Sequence, residues 1–386
     1  MTEAIASAGG RSGVATAMPG LPAYVAPVQP WPGELVQLDV GAVFVRATPA
    51  VPGAEPAVYI HGLGGSALNW TYLMDQLSRP AADAAAGSLG ADVPGGTSAP
   101  IAASRPPIAG HALDLPGFGF SPPPGDGDYS LDAGVASVVA LVEHLANWPV
   151  HLVGNSLGGA IATRLAARRP DLVRTLTLIS PALPDLRPRP LPARLALVAI
   201  PGVGRWLVER LLTMTPEERA DASIGELYAD PARITPERRA EAIAEVMRRD
   251  GLDYAVDALL RSTRALVREY TRPGPGSLWR DAARIAAPTL LIHGSHDRLV
   301  NPATAGRAAR TFRNCRAVVL PRIGHVAMME RPELVATEMR EFFARVQAQR
   351  AGRQTTLAPA ATTPGAAPTS SGRTSLRPAS SRARAC

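Results

Sequence analysis

The chain has 386 residues, a formal net charge of +7, 46% hydrophobic and 19% charged residues. That balance fits a folded globular protein and excludes a fibrous or wholly disordered one. All 40 basic residues are arginine, which excludes a Schiff-base lysine, a pyridoxal-phosphate lysine and a P-loop lysine together.

In chain order, residues 1–33 are rich in Ala, Gly and Pro and are expected to form a disordered arm. ELVQLDV (34–40) and AVFVRAT (42–48) alternate apolar and polar residues around Gly41 and predict two strands. AVYIHG (57–62) is a continuous apolar run suited to a buried parallel strand, and a helix is expected over 67–77. Residues 80–110 hold almost no large apolar side chains and predict a disordered insertion. HALDLPG (111–117) predicts a strand and turn, followed by a helix over 131–145. VHLVGNS (150–156) predicts a strand, 157–168 a helix and TLTLIS (175–180) another strand. From 183 to 283 the pattern turns helical, in PARLALVAI, GRWLVERLL, ERRAEAIAEVMRR and DYAVDALLRSTRALVREY. Strands return with TLLIHG (289–294) and RAVVLP (316–321), around a helix near 302–310, and the last helix is expected over 332–346. Residues 347–386 are polar and basic and are expected to be a disordered tail.

This alternation predicts an α/β fold with a mostly parallel, doubly wound sheet. The core is expected over 34–182 and 284–346, with 183–283 as an inserted helical cap. Six arginines and no acids fall between Arg350 and Cys386, so the rest of the chain carries 7 − 6 = +1. A nucleic-acid partner is therefore not expected. Two cysteines, Cys315 and the terminal Cys386, make neither a zinc cluster nor a disulfide framework. No leader is legible, and the uncharged run His144 to Thr163 carries too many polar residues and a proline to span a membrane. A cytoplasmic protein with no integral membrane segment is expected.

The strongest local signal is Gly154-Asn155-Ser156-Leu157-Gly158-Gly159, between a buried strand and a helix. A serine in G-x-S-x-G at such a junction sits on a sharp turn, and the glycines two residues either side remove the Cβ atoms that would clash. A serine nucleophile needs a base, and the base needs an orienting acid. His325 follows the strand ending at Pro321, and Asp297 follows TLLIHG, so all three candidates lie at strand carboxyl ends. His61-Gly62-Leu63-Gly64-Gly65 ends the strand AVYIHG and can turn the Leu63 N–H towards the nucleophile. The same segment fits G-x-G-x-x-A through Gly62, Gly64 and Ala67, a dinucleotide fingerprint. That alternative needs an acid at the end of the next strand, and Asp83 falls in the Ala-rich stretch instead. No cofactor or metal is expected: His293 and His296 beside Asp297 lack the spacing of a two-metal site, and a buried strand-end histidine is the simpler expectation. The pairs Arg238-Arg239 and Arg248-Arg249 are expected on solvated helix faces. Leu195–Leu212, with Trp206, is expected either to line an acyl pocket or to pack within the cap.

HGLGG, DLPGFG, GNSLGG, the Asp of HGSHD and the His of GHVAMMERPE, in that order, resemble the α/β-hydrolase superfamily over about residues 34–346. The resemblance implies Ser156 as nucleophile, Asp297 as acid, His325 as base, and Leu63 and Leu157 as oxyanion donors through their backbone N–H groups. Asp114 matches a structural turn and takes no catalytic role. Asp-nucleophile branches, the haloalkane dehalogenases and epoxide hydrolases, are disfavoured by Ser156. Asn155 is similar to carbon–carbon bond hydrolases of ring-cleavage pathways. Those usually carry a Gly–Pro oxyanion loop and a Trp after the last His, where this chain has Gly64-Gly65 and Val326. The whole looks more like carboxylesterases and monoacylglycerol-type lipases, which implies a small apolar ester as substrate. A binding protein on the same fold is the non-enzymatic alternative.

Overall fold

Side-chain alternation on the central strands sets the architecture. In the computed structural model, residues 14–16, 28–49, 51–79, 106–146, 149–185, 196–272 and 274–357 are described. The strands are β1 (Val14–Thr16), β2 (Gly33–Leu38), β3 (Gly41–Ala47), β4 (Glu55–Ile60), β5 (Ile108–Leu113), β6 (Val150–Asn155), β7 (Val173–Ile179), β8 (Thr289–Gly294) and β9 (Cys315–Leu320). They form one sheet in the order β1-β9-β8-β7-β6-β4-β5-β3-β2. Every neighbouring pair is parallel except β2–β3 and β3–β5, so β3 alone runs against the rest.

The period of two sends Val58, Ile60, Leu152, Leu176 and Leu178 to one face. Tyr59, Val153, Leu290 and Ile292 go to the other. Helices α2 (Leu131–His144), α3 (Leu157–Arg168), α8 (Leu278–Arg284) and α9 (Thr304–Thr311) cover the first face with Val138, Leu141, Leu165, Leu278 and Ala308. Helix α1 (Thr71–Ser78) and the start of α11 (Pro332–Leu357) cover the second with Leu73, Met74, Val335, Met339 and Phe343. Helices α4 (Val203–Leu211), α5 (Pro216–Leu227), α6 (Pro236–Asp250) and α7 (Ala255–Thr271) are inserted between β7 and β8. A short helix, α10 (Ala327–Glu330), follows β9. No described helix is long and apolar enough to cross a membrane.

Several expected boundaries move. Within the expected arm, Val14–Thr16 pairs with β9. The stretch 80–110 ends early, because β5 begins at Ile108 and Gly110 N donates to Thr48 Oγ1 at 2.9 Å; residues 80–105 lie outside the described set. Of the expected helix PARLALVAI, residues 192–195 also lie outside it, and only 196–198 are helical. Helix α8 falls inside the stretch expected as inserted, yet its Leu278 and Ala282 pack into the sheet's core. The chain divides into two units, Met1–Val346 and Gln347–Cys386. In the second, the helix begun at Pro332 runs on to Leu357, into residues expected as tail.

Candidate active site

Ser156 lies between β6 and α3 with φ 52° and ψ −115°, a left-handed conformation rare for a residue with a Cβ. The turn needs its glycines for space. A Cβ on Gly158 would collide with the backbone oxygens of Ile60 and His61, and one on Gly154 with the backbone of Gly158 and Gly159. The loop after β4 lies directly against the serine: a Cβ on Gly62 would stand 3.1 Å from Ser156 Cβ and 3.0 Å from Asn155 Oδ1.

That loop carries Leu63, and α3 begins at Leu157. Among the described residues neither the Leu63 nor the Leu157 N–H has an acceptor. Both are therefore free to face a developing oxyanion beside Ser156. His61 fixes the loop from behind. It is fully buried, its Nδ1 bonds Gly62 O at 2.7 Å and its Nε2 accepts from Leu115 N at 2.9 Å. Burial pushes its pKa down to about 4. Asp114 uses one carboxylate oxygen on Ala67 N (2.6 Å) and the other on Phe120 N (2.7 Å), which pins the turn after β5 to the segment after β4. Its pKa is pushed up to about 6, chiefly by burial.

His325 and Asp297, from the loops after β9 and β8, meet in the buried interior. His325 Nδ1 bonds Asp297 Oδ2 at 2.9 Å. Asp297 Oδ1 accepts from Leu299 N (2.8 Å) and Val300 N (2.9 Å). Burial alone would raise the Asp297 pKa, but His325 and the backbone N–H groups outweigh it and hold the carboxyl below its ordinary value. Asn155 joins the two halves: its Nδ2 donates to His325 O at 3.3 Å and to Ile179 O at 3.0 Å. The histidine loop is thereby tied to the residue before the serine.

The inserted helices reach this centre too. His325 N donates to Leu227 O at the end of α5 (2.8 Å). The buried Glu330 accepts from Gly324 N (2.8 Å), Ala229 N (3.1 Å) and Asp230 N (3.3 Å), clasping the histidine loop to the segment after α5. Helix α6 corrects the expectation of solvated arginine faces. Arg238 is buried, stacks 4.1 Å above the Tyr72 ring and donates to Met329 O at 3.3 Å. Arg248 forks onto Glu245 and stacks 4.7 Å from the Phe120 centroid, and Arg249 reaches Gly64 O at 3.0 Å. Only Arg239, paired with Asp221 on the surface, behaves as expected. Spacing carried the signal: Arg238, Glu245 and Arg249 fall at i, i+7 and i+11, one side of a helix. Glu330 is not singled out by the sequence and Arg249 is assigned there to solvent, because their partners lie far off in sequence.

Trp206 is not brought to the serine by any described contact. It stands 63% exposed on α4, beside the exposed Val203 and Leu211. These three side chains are thus not packed inside the inserted helices. His293 is buried at the end of β8, with Nε2 3.3 Å from Thr304 Oγ1, and His296 bonds Ser295 Oγ at 2.8 Å.

A family profile of the alpha/beta hydrolase fold matches residues 108–332, more than half of the chain. Three curated relatives are informative. The dihydrolipoyllysine-residue acetyltransferase component of the acetoin cleaving system of Pseudomonas putida is 27% identical over 75% of this chain, and the chain spans 64% of that protein's length. The 2-hydroxymuconate semialdehyde hydrolase of Pseudomonas putida is 27% identical over 68% of this chain and 86% of its own. Human monoacylglycerol lipase ABHD6 is 29% identical over 61% of this chain and 67% of its own.

Proposed function

The chain belongs to the alpha/beta hydrolase fold family, and on that premise we propose that it is a serine hydrolase that cleaves a carboxylic ester through an acyl-enzyme on Ser156. The observation that carries this reading is the buried Asp297–His325 hydrogen bond of 2.9 Å, in a loop that Asn155 ties to the strained Ser156 turn. Asp297 holds Nδ1–H, which leaves Nε2 of His325 as the base. Ser156 Oγ attacks the ester carbonyl, and its proton passes to Nε2. The Leu63 and Leu157 N–H groups take the oxyanion. The proton then goes to the leaving alcohol, and water, activated by the same histidine, releases the acid. An ester with an apolar acyl group fits the likeness to a monoacylglycerol lipase, with the inserted helices as a cap over the site.

A second reading, carbon–carbon bond hydrolysis, is favoured by Asn155 and by the likeness to a 2-hydroxymuconate semialdehyde hydrolase. Turnover of p-nitrophenyl esters against that of a dienone ring-cleavage product separates the two. The nucleophile itself is tested by a fluorophosphonate probe. The native chain should label on the peptide carrying Ser156, and Ser156→Ala should not. An unlabelled native chain, beside a labelled control hydrolase, contradicts the proposal and returns the fold to a binding role.

A further inference from the structure

Arg249 comes from the inserted helix α6 and lies against the loop that carries Leu63. Its Nη1 donates to Gly64 O at 3.0 Å and its Nε to the backbone oxygen of Glu245 at 3.4 Å. A guanidinium has five N–H donors, and among the described residues these two bonds are all it makes. Among the described residues the only carboxylate within 4.0 Å of it is Glu245, at 3.9 Å from Nε. Both oxygens of that carboxylate already accept from Arg248, at 2.7 and 2.9 Å. The side chain is 35% exposed, so it is partly withdrawn from water. Burial lowers its pKa, the mark of a cation whose counter-charge is incomplete.

Its position relates this charge to the reaction. Gly64 is two residues from Gly62, which abuts Ser156 Cβ. Consecutive Cα atoms are about 3.8 Å apart, so Gly64 Cα lies within about 8 Å of Gly62 Cα and the guanidinium is held within a short acyl chain's reach of the Ser156 turn. Leu63, Gly64 and Gly65 are partly exposed while the residues on either side are buried. Leu259 of α7 flanks the same loop, 4.0 Å from where a Gly64 Cβ would be. An apolar side chain, Leu259, and a half-paired arginine at the loop that carries Leu63 suit a short aliphatic chain that ends in an anion.

We propose that Arg249 is a specificity-determining residue that binds a carboxylate on the substrate, so that the preferred ester carries an anionic group about a short acyl chain away from the bond that is cleaved. Arginine presents two parallel N–H donors to a carboxylate, which fixes orientation as well as charge. The inference rests on the serine-hydrolase reading and names its substrate class.

The test compares kcat/KM for mono-p-nitrophenyl adipate and p-nitrophenyl hexanoate, two acyl groups of equal carbon count, one charged and one neutral. The native chain should favour the adipate half-ester by at least about tenfold, the value of one charge-assisted hydrogen bond. Arg249→Gln should remove most of that preference, mainly through KM for the charged ester. Arg249→Lys should keep part of it, and Arg249→Glu should reverse it. Equal kcat/KM for the two esters in the native chain overturns the inference, as does an equal loss on both in Arg249→Gln and Arg249→Lys. The second outcome would leave Arg249 only a prop for the Gly64 carbonyl. Hydrolysis of hexanoate that Ser156→Ala abolishes shows the underlying reading standing while the inference fails; no hydrolysis of either ester removes both.

Discussion

Ser156 was legible because the sharp turn that exposes a nucleophile leaves a local trace. Gly154 and Gly158 are spaced to clear the backbone that crosses them, Ile60 and His61 among it. His325 and Asp297 were legible through their order and their places after apolar runs. Glu330 left no such trace and Arg249 only its place on one side of α6, since what makes a charged helix residue useful is the loop packed against it, at Gly64 for Arg249 and Gly324 for Glu330. Two of the buried histidines outside the proposed triad, His61 and His293, carry a prediction at this scale. Burial depresses His293, as it does His61, to about 4. An unfolded histidine titrates near 6.5, so from pH 6.5 down to 4 the unfolded chain takes up protons that the native chain does not. Stability falls as pH drops through that window, by about 2 kcal/mol per histidine at pH 5. Urea unfolding at pH 7 and pH 5 should show a difference about 2 kcal/mol smaller in His293→Gln than in the native chain. Identical pH differences would mean that His293 is not held neutral by the fold.

At the scale of elements, the central strands followed from continuous apolar runs. β6 and β8 are buried along their whole length, and such runs suit nothing but the middle of a parallel sheet. The start of β5 was hidden because Ile108-Ala109-Gly110 follows two prolines and includes a glycine. That glycine is a packing requirement: a Cβ there would come 3.0 Å from Met74 Cε and 3.1 Å from the Tyr59 ring. Ile108, at the start of β5, pairs with Glu55, the first residue of β4, so β5 begins at the amino edge of the sheet. Ser156 follows the carboxyl end of β6, across the sheet from that edge. Replacement of 80–105 by a Gly/Ser linker should leave kcat/KM for a small ester within a few-fold. A loss of a hundredfold or more in a variant that still melts cooperatively would place the stretch at the site.

For the whole molecule, the chain order of strand and helix predicted a doubly wound sheet with one helical interruption, and the sheet has that form. What sequence could not supply was how the interruption is fastened to the sheet. Arg164 of α3 is fully buried and bonds Glu269 of α7 and Asp281 of α8, along with Asp132 of α2. A buried arginine keeps its charge only where carboxylates come to it, and these are up to 117 residues away in sequence. Glu330 and Arg249 likewise fasten the inserted segment to the loops that carry His325 and Leu63. The central claim remains that Ser156 and His325 act in one step, and a kinetic double-mutant cycle on a p-nitrophenyl ester tests it most directly. Ser156→Ala and His325→Ala should each lower kcat by at least about 10³-fold, and the double variant should be no more than a few-fold worse than either. Losses that multiply in the double variant, or a Ser156→Ala chain that keeps kcat within tenfold of native, would contradict it.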